Sequence, residues 1–341
     1  MWNTVAGALL ALILLPVGLV IAILSIPFRL IAFIFTALFG PFSYQERTKH
    51  VDAWLATKRE RRFLYLAGIE RGAFWETPIS YREVSIPKKT GGHRTLHIPS
   101  DDLKVLQRKI GKFVAKYHAE KVHGCANAYI QGRGVVSNAR PHLGCEVLIK
   151  LDLKDFFPSV TRANVAKWLK FKRVPLELDG ENSDRLTQRV LDIVCLEDGL
   201  PQGAPSSPLL SNLALFDLDR ALTAFANKQG AKYTRYADDL TFSYQSEEKG
   251  TVRRTIDNVR QIVIRHGFEL NEKKGKQKVL RRHQHQSVCG VTLNSGRLSI
   301  TRRKRRQLRA AKHQLAMDGK AQLSVEQVRG WDAYIEMVNR A

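Results

Sequence analysis

Acidic residues are scarce in this chain. Its 341 residues include 32 Asp and Glu against 55 Lys and Arg, a net charge of +23. So large a surplus excludes a surface tuned only for solubility. It points to a polyanionic partner, nucleic acid first and anionic membrane second. Cysteine is scarce too. Cys125, Cys145, Cys195 and Cys289 include no CxxC pair and no Cys/His cluster at zinc-ligand spacing, which excludes a zinc-finger reading. Such scattered cysteines read as reduced, mostly buried thiols in a cytosolic setting. Internal repeats and low-complexity tracts are lacking. The 44% hydrophobic content is enough for one large folded unit with subdomains, or for two ordinary domains.

Charge is nearly absent from residues 1–42, where Arg29 stands alone. Val5 to Ile26 is long enough to cross a hydrocarbon core of about 30 Å, and membranes tolerate a proline such as Pro16. A second apolar run, Leu30 to Phe42, is short for a span and fits a re-entrant, tilted or interfacial helix. A basic n-region and a small-x-small cleavage site are both missing, which disfavours a signal peptide. A buried core helix is the alternative to a membrane-associated segment. Arg47, Lys49, Lys58, Arg59, Arg61 and Arg62 crowd the C-terminal flank. The positive-inside rule then places the rest of the chain at the cytoplasmic face of the inner membrane. The same cluster could also lie on anionic headgroups.

Beyond the apolar segment, residues 44–72 read as helical. YREVSIP and RTLHIP flank the turn Lys88-Lys89-Thr90-Gly91-Gly92-His93 and read as a hairpin. Residues 101–118 read as an amphipathic helix opening on Asp101 or Asp102 as a cap. A Gly-rich stretch, 123–144, follows. Strand and helix then alternate to about residue 294. The end is helical and basic, with Arg302, Arg303, Lys304, Arg305, Arg306, Arg309 and Lys312 close together.

Three segments carry chemistry. In EVLIKLDLKDFFPSV, residues 146–160, Val147, Ile149, Leu151 and Leu153 alternate, so they share one face of a strand. Leu148, Lys150 and Asp152 share the other, which puts Asp152 at the strand end, facing away from the core. In KYTRYADDLTFSY, residues 232–244, two β-rich runs flank Ala237-Asp238-Asp239, a hairpin with aspartates at its tip. Adjacent carboxylates repel, and a divalent cation removes the conflict; an all-oxygen site of this kind suits Mg²⁺. In GLPQGAPSSPLLSNLAL, residues 199–215, a Gly-, Pro- and Ser-rich loop enters an apolar helix. There Gly203 and Ala204 let a substrate approach the backbone closely.

The order LDLKDFF, LPQGAPSSPLLSN, YADD, NEKKGK resembles the palm of reverse transcriptases, over about residues 80–300. Asn138-Ala139-Arg140-Pro141-His142 resembles the Asn-Ala-x-x-His pattern of retron reverse transcriptases. Val288-Cys289-Gly290 stands where those enzymes have Val-Thr-Gly.

The resemblance implies an α+β fold, a right hand of fingers, palm and thumb preceded by N-terminal hydrophobic membrane-associated helices. The parts would be 1–42 membrane-associated, 43–145 N-terminal helices and fingers, 146–294 palm with finger elements, and 295–341 basic helical thumb. It implies an RNA-directed DNA polymerase that uses two Mg²⁺, or Mn²⁺, on Asp152, Asp238 and Asp239. The backbone at Asp155 and Phe156 would meet the triphosphate, and Phe157 would be the sugar gate, or else core. Gln202 would contact the nucleotide, and Arg94 with Lys88 or Lys89 would clamp its phosphates. Lys274 would protonate the leaving pyrophosphate, although Gly275 replaces the usual Thr; a solvated surface lysine is the alternative.

Asn138 and His142, and Arg303 and Arg306 in the thumb, would contact RNA. Trp331 and Tyr334, at helical spacing, read as core before base-stacking platforms. The implied partners are dNTPs, a structured noncoding RNA, the RNA–DNA product, the membrane, and an effector protein or a second copy of the chain. The expected setting is antiphage defence. Residues 1–42 would be either an anchor or a gated toxic effector. An RNA-binding scaffold and another class of bacterial defence reverse transcriptase are the alternatives.

Overall fold

Alternating apolar residues make Val147–Asp152 (β3) an inner strand of a four-stranded antiparallel sheet with Lys232–Tyr236 (β4), Asp239–Tyr244 (β5) and Lys278–Arg281 (β6), in the order β4-β5-β3-β6. This computed structural model describes residues 60–340 apart from 88–91, 119–121, 170–182, 295 and 319–321. Contacts separate Met1–Lys58 from Arg59–Ala341, and all described residues belong to the second unit. The hydrophobic segment 1–42, its basic flank through Arg59, and the hairpin lysines Lys88 and Lys89 lie outside the described residues. Among those described, no helix is long and apolar enough to cross a membrane.

The first elements precede the central sheet in the chain. Residues 60–67 are helical and stop at Gly68, where φ is +63°. A second helix, α1, runs Arg71–Glu76, so the expected helix over 44–72 is broken in its described part. A left-handed glycine is the ordinary way to end a helix. The expected hairpin is present as β1 (Tyr81–Pro87) and β2 (His93–Pro99), in the register Ile86 to Arg94. Helix α2, Asp101–His118, buries Leu103, Leu106, Ile110, Phe113 and Val114 along one stripe. Lys104 N donates to Ser100 O at 2.8 Å. The helix therefore starts one residue earlier than expected, and both aspartates lie inside its first turn, where the helix dipole favours them.

Short helices α3 (Val135–Ala139), α4 (Phe156–Ser159) and α5 (Arg162–Leu169) surround β3 in the chain, followed by α6 (Ser183–Val194), α7 (Ser207–Ala214) and α8 (Phe216–Lys228). The aspartate hairpin is β4 (Lys232–Tyr236) and β5 (Asp239–Tyr244). Helix α9, Thr251–Arg265, leads to β6 (Lys278–Arg281) and to a small hairpin of β7 (Ser287–Val288) and β8 (Val291–Thr292). The basic end is α10 (Arg302–Asp318) packed on α11 (Val325–Asn339).

Both faces of the sheet are covered. Val147, Ile149 and Leu151 enter the main core. Leu148, on the opposite face, is also fully buried, in a second cluster with Val288, Val291, Leu293, Leu298, Ile300 and Val338. The face expected to turn away from the core is thus dry at Leu148; Lys150 is half-buried, and Asp152 is only 5% exposed. The cover of Leu148 comes from residues 288–338, remote in sequence. Trp331 packs on the small cluster of Leu308, Ala311 and Val328, with Lys304 Nζ 3.8 Å from its ring centroid.

Candidate active site

Strand register brings the acidic residues together. Asp152, the last residue of β3, pairs directly with Asp239, the first of β5. Asp238 occupies the two-residue turn between β4 and β5, and its carbonyl accepts from Leu153 N at 2.9 Å. The turn is sharp because Ala237 is left-handed, φ +56°, an uncommon conformation for a residue with a Cβ. Three carboxylates thus lie at one strand end.

The electrostatics follow from that placement. Burial first, then the charges of Asp239 and Asp152, push the Asp238 carboxyl up to about 6. Burial also raises Asp239, with Lys150 opposing it. Asp152 is held by two residues that sequence reading did not single out. Asn271 Nδ2 donates to Asp152 Oδ1 at 2.9 Å, and Lys276 Nζ donates to Oδ2 at 2.6 Å. Asn271 N also donates to the Asp152 carbonyl at 2.7 Å. Both residues lie in the quoted NEKKGK segment. Lys274 in that segment is exposed, and the structure does not bring it to the triad.

A buried ion pair supports the turn from below. Arg235 and Asp219 are both fully buried and meet at 2.7 Å. Arg235 Nη1 reaches on to the carbonyl of Ala237 at 3.0 Å and to Asn212 Oδ1 at 3.0 Å. Tyr233 Oη donates to Asp219 Oδ1 at 3.1 Å. The sequence held one signal of this: a charged residue on the buried face of a strand requires a buried counter-charge.

The loop Gly199–Gly203 joins the β1–β2 hairpin to the segment around Phe157. Leu200 N donates to Phe157 O at 3.1 Å, and His97 N donates to Gln202 O at 2.8 Å. A Cβ on Gly203, whose φ is +124°, would lie 2.9 Å from the His97 carbonyl oxygen. The close approach inferred for Gly203 is therefore made by strand β2 of the fingers rather than by a substrate. Asp155 is exposed and left-handed at φ +43°. Phe156 is buried, whereas Phe157 is only half-buried, so of the two rings Phe157 is the more accessible. Gln202 is half-buried, and Arg94 is exposed on β2.

Two expected RNA contacts are corrected. Asn138 and His142 are fully buried. The His142 ring bridges Ser243 Oγ and Thr234 Oγ1, each at 2.7 Å, and burial pushes its pKa down to about 3. Asn138 Nδ2 donates to Cys289 Sγ at 3.4 Å. The two patterns quoted for the narrower resemblance therefore touch each other and brace the palm hairpin; their side chains are closed to a surface ligand. Arg303 and Arg306, by contrast, are exposed and carry no ion pair among the described residues.

Among the described residues, no three Asp, Glu, His or Cys side chains converge tightly enough to make a finished metal cage. The donor set nonetheless fits a divalent cation: three carboxylates, hard oxygen donors, close enough that Asp239 and Asp152 add to the rise of the Asp238 pKa, with a lysine ammonium already drawn onto Asp152.

An antiparallel sheet that presents three carboxylates at one strand end, beside a fingers hairpin and a basic helical pair, is the palm of a nucleic-acid polymerase. Residues 86–308 match the family described as reverse transcriptase (RNA-dependent DNA polymerase), and the chain belongs to that family, in its retron type. It is 38% identical over 282 residues to the retron Mx65 reverse transcriptase of Myxococcus xanthus, covering 76% of this chain and 61% of that one. It is 34% identical to the Mx162 enzyme of the same organism, covering 78% and 59%. The Escherichia coli retron Ec86 reverse transcriptase is 33% identical, with 76% and 77% covered. The matched region spans about three fifths of the length of the two Myxococcus relatives.

Proposed function

We propose that this chain is an RNA-directed DNA polymerase that copies a structured noncoding RNA into DNA, as the retron type implies. The observation that carries the reading is the register pair Asp152–Asp239 with Asp238 in the adjoining turn. Asp152 and Asp238 would be the principal ligands of two Mg²⁺ ions, with Asp239 beside them. Bound there, the ions supply Lewis-acid charge to the attacking hydroxyl and the departing pyrophosphate.

The chain's own residues do the rest. Asn271 and Lys276 fix the Asp152 carboxylate before substrate arrives. Arg94, exposed on the fingers hairpin, binds the triphosphate. The Phe157 ring rejects a 2′-hydroxyl and so selects deoxynucleotides. Lys274 is the candidate proton donor to the leaving group, its exposure leaving it free to move. Arg303 and Arg306 lie on the solvent side of α10 and take template and primer phosphates.

Residues 1–42, with Arg29 as their single charge, serve in this reading as a membrane anchor that holds the polymerase at the cytoplasmic face of the inner membrane. The alternative is a gated effector. Deletion of 1–42 separates the two roles: loss of membrane association with DNA synthesis kept supports the anchor. Antiphage defence that survives the deletion excludes the effector.

The experiment for the polymerase reading is co-expression of the full chain with the RNA of its native locus. RNA-linked DNA that disappears in Asp239→Ala supports the retron assignment. DNA made only from an added primer assigns the chain to another class of bacterial reverse transcriptase.

A further inference from the structure

The Gly-rich stretch 123–144 contains Tyr129, a half-exposed aromatic residue held at φ +61°. A bulky residue in the left-handed region is strained, and such strain persists only where the surroundings over-determine it. Here they do. Asn127 N donates to Arg235 O at 2.8 Å and Arg235 N to Cys125 O at 2.9 Å, which ties the segment to β4. The Ala128 carbonyl accepts from buried Asn212 Nδ2 at 2.8 Å, and Asn212 is itself bonded to Arg235. Arg133 Nη1 closes the loop onto the Ala126 carbonyl at 2.8 Å.

This strained backbone does not serve to bury the side chain, since Tyr129 is 49% exposed. It brings the ring beside that of Phe157. The ring centroid lies 6.4 Å from that of Phe157, at 40°. Burial raises the pKa of the phenol first, and the Asp238 carboxylate raises it further, while Arg94 pulls it down. The side chain therefore lies within electrostatic reach of the triad and of the residue assigned to the triphosphate.

We propose that Tyr129 is a second wall of the nucleotide site, its ring continuing that of Phe157 so that the deoxyribose and base of the incoming nucleotide rest against two aromatic rings. The inference rests on the polymerase reading. Strain is retained because the ring must stand where no relaxed backbone would put it.

The test is single-nucleotide incorporation by the full chain on an RNA template with a DNA primer, using dTTP and UTP as probes. Tyr129→Gly removes the ring and suits the left-handed backbone. Tyr129→Asn, which also tolerates that backbone, is the second ringless variant. Both should keep or raise the Tm. Both should raise the KM for dTTP about tenfold, the scale of losing one aromatic platform, with a smaller change in kcat and a loss of dTTP preference over UTP. Tyr129→Phe should stay close to the wild-type KM. A folded Gly or Asn variant with wild-type KM and selectivity overturns the inference, as does a Phe variant as impaired as either. Asp238→Ala run alongside separates the two claims: if it stays active the site reading itself fails, and this inference with it.

Discussion

Arg235 and Asp219 form a fully buried ion pair directly beneath the turn that carries Asp238. The guanidinium uses Nε and Nη2 on the carboxylate and Nη1 on the Ala237 carbonyl and the Asn212 side chain. The pair therefore does more than neutralise itself: it fixes the left-handed residue on which the aspartate turn hinges.

Removing one partner leaves the other charged and dry. Asp219→Ala should cost about 3–5 kcal/mol in urea unfolding. Replacing both, as Asp219→Leu with Arg235→Met, should recover most of that stability. It should still impair DNA synthesis, because the Ala237 carbonyl has lost its donor. A double variant with full activity would detach the pair from the turn.

Asp238 should oppose folding in metal-free protein. Its pKa is pushed up to about 6 in the fold, above the ordinary value of 3.8. Its charge is therefore a full cost above pH 6, and the cost fades as pH falls from 6 through 3.8. Asp238→Asn in EDTA should raise stability at pH 8 by about 1–3 kcal/mol, and the gain should vanish near pH 4. His142 acts in the reverse sense: its pKa near 3 makes acidification below its ordinary 6.5 destabilising. The comparison is therefore between variant and wild type at each pH. A gain that does not depend on pH would contradict the assignment.

Lys276 and Lys274 should part company in thermal melts. The Lys276 ammonium stands on Asp152 where a metal would also bind. Lys276→Ala should lower the Tm in EDTA modestly, by about 1 kcal/mol or less because the amine is 45% exposed. Mg²⁺ should restore the variant more than it raises the wild type. Lys274→Ala should leave the Tm nearly unchanged in both buffers. The same Mg²⁺ response in both variants would remove Lys276 from the site.

Most of the palm was legible because its information is local. The Gly-containing turn between two short strands located β1 and β2, alternation located β3, and the aspartates between two β-rich runs located the β4–β5 turn. What alternation cannot report is which distant segment covers a strand. Leu148 looked solvent-facing because its cover, Val288 to Val338, lies far along the chain. Asn138 and His142 read as RNA contacts because they carry the Asn-Ala-x-x-His pattern of the retron resemblance, and a pattern does not say which way its side chains face. Here Ser243 and Thr234 hold His142 inside the core, and Cys289 accepts from Asn138 Nδ2 while Asn138 Oδ1 stays buried without a partner among the described residues. Asn271 and Lys276 were in view within a quoted motif, but nothing in their spacing says which of several lysines reaches Asp152.

The central claim is that Asp152, Asp238 and Asp239 work as one unit. The direct measurement is primer extension on an RNA template by the full chain, comparing Asp152→Ala, Asp238→Ala and the double variant, each checked for folding by circular dichroism. Groups that act together give losses that do not multiply. We expect each single variant to lose about 10⁴-fold or more, with the double variant no worse than the poorer single. A folded Asp238→Ala protein within about tenfold of wild type, or losses that multiply in the double variant, would contradict the account.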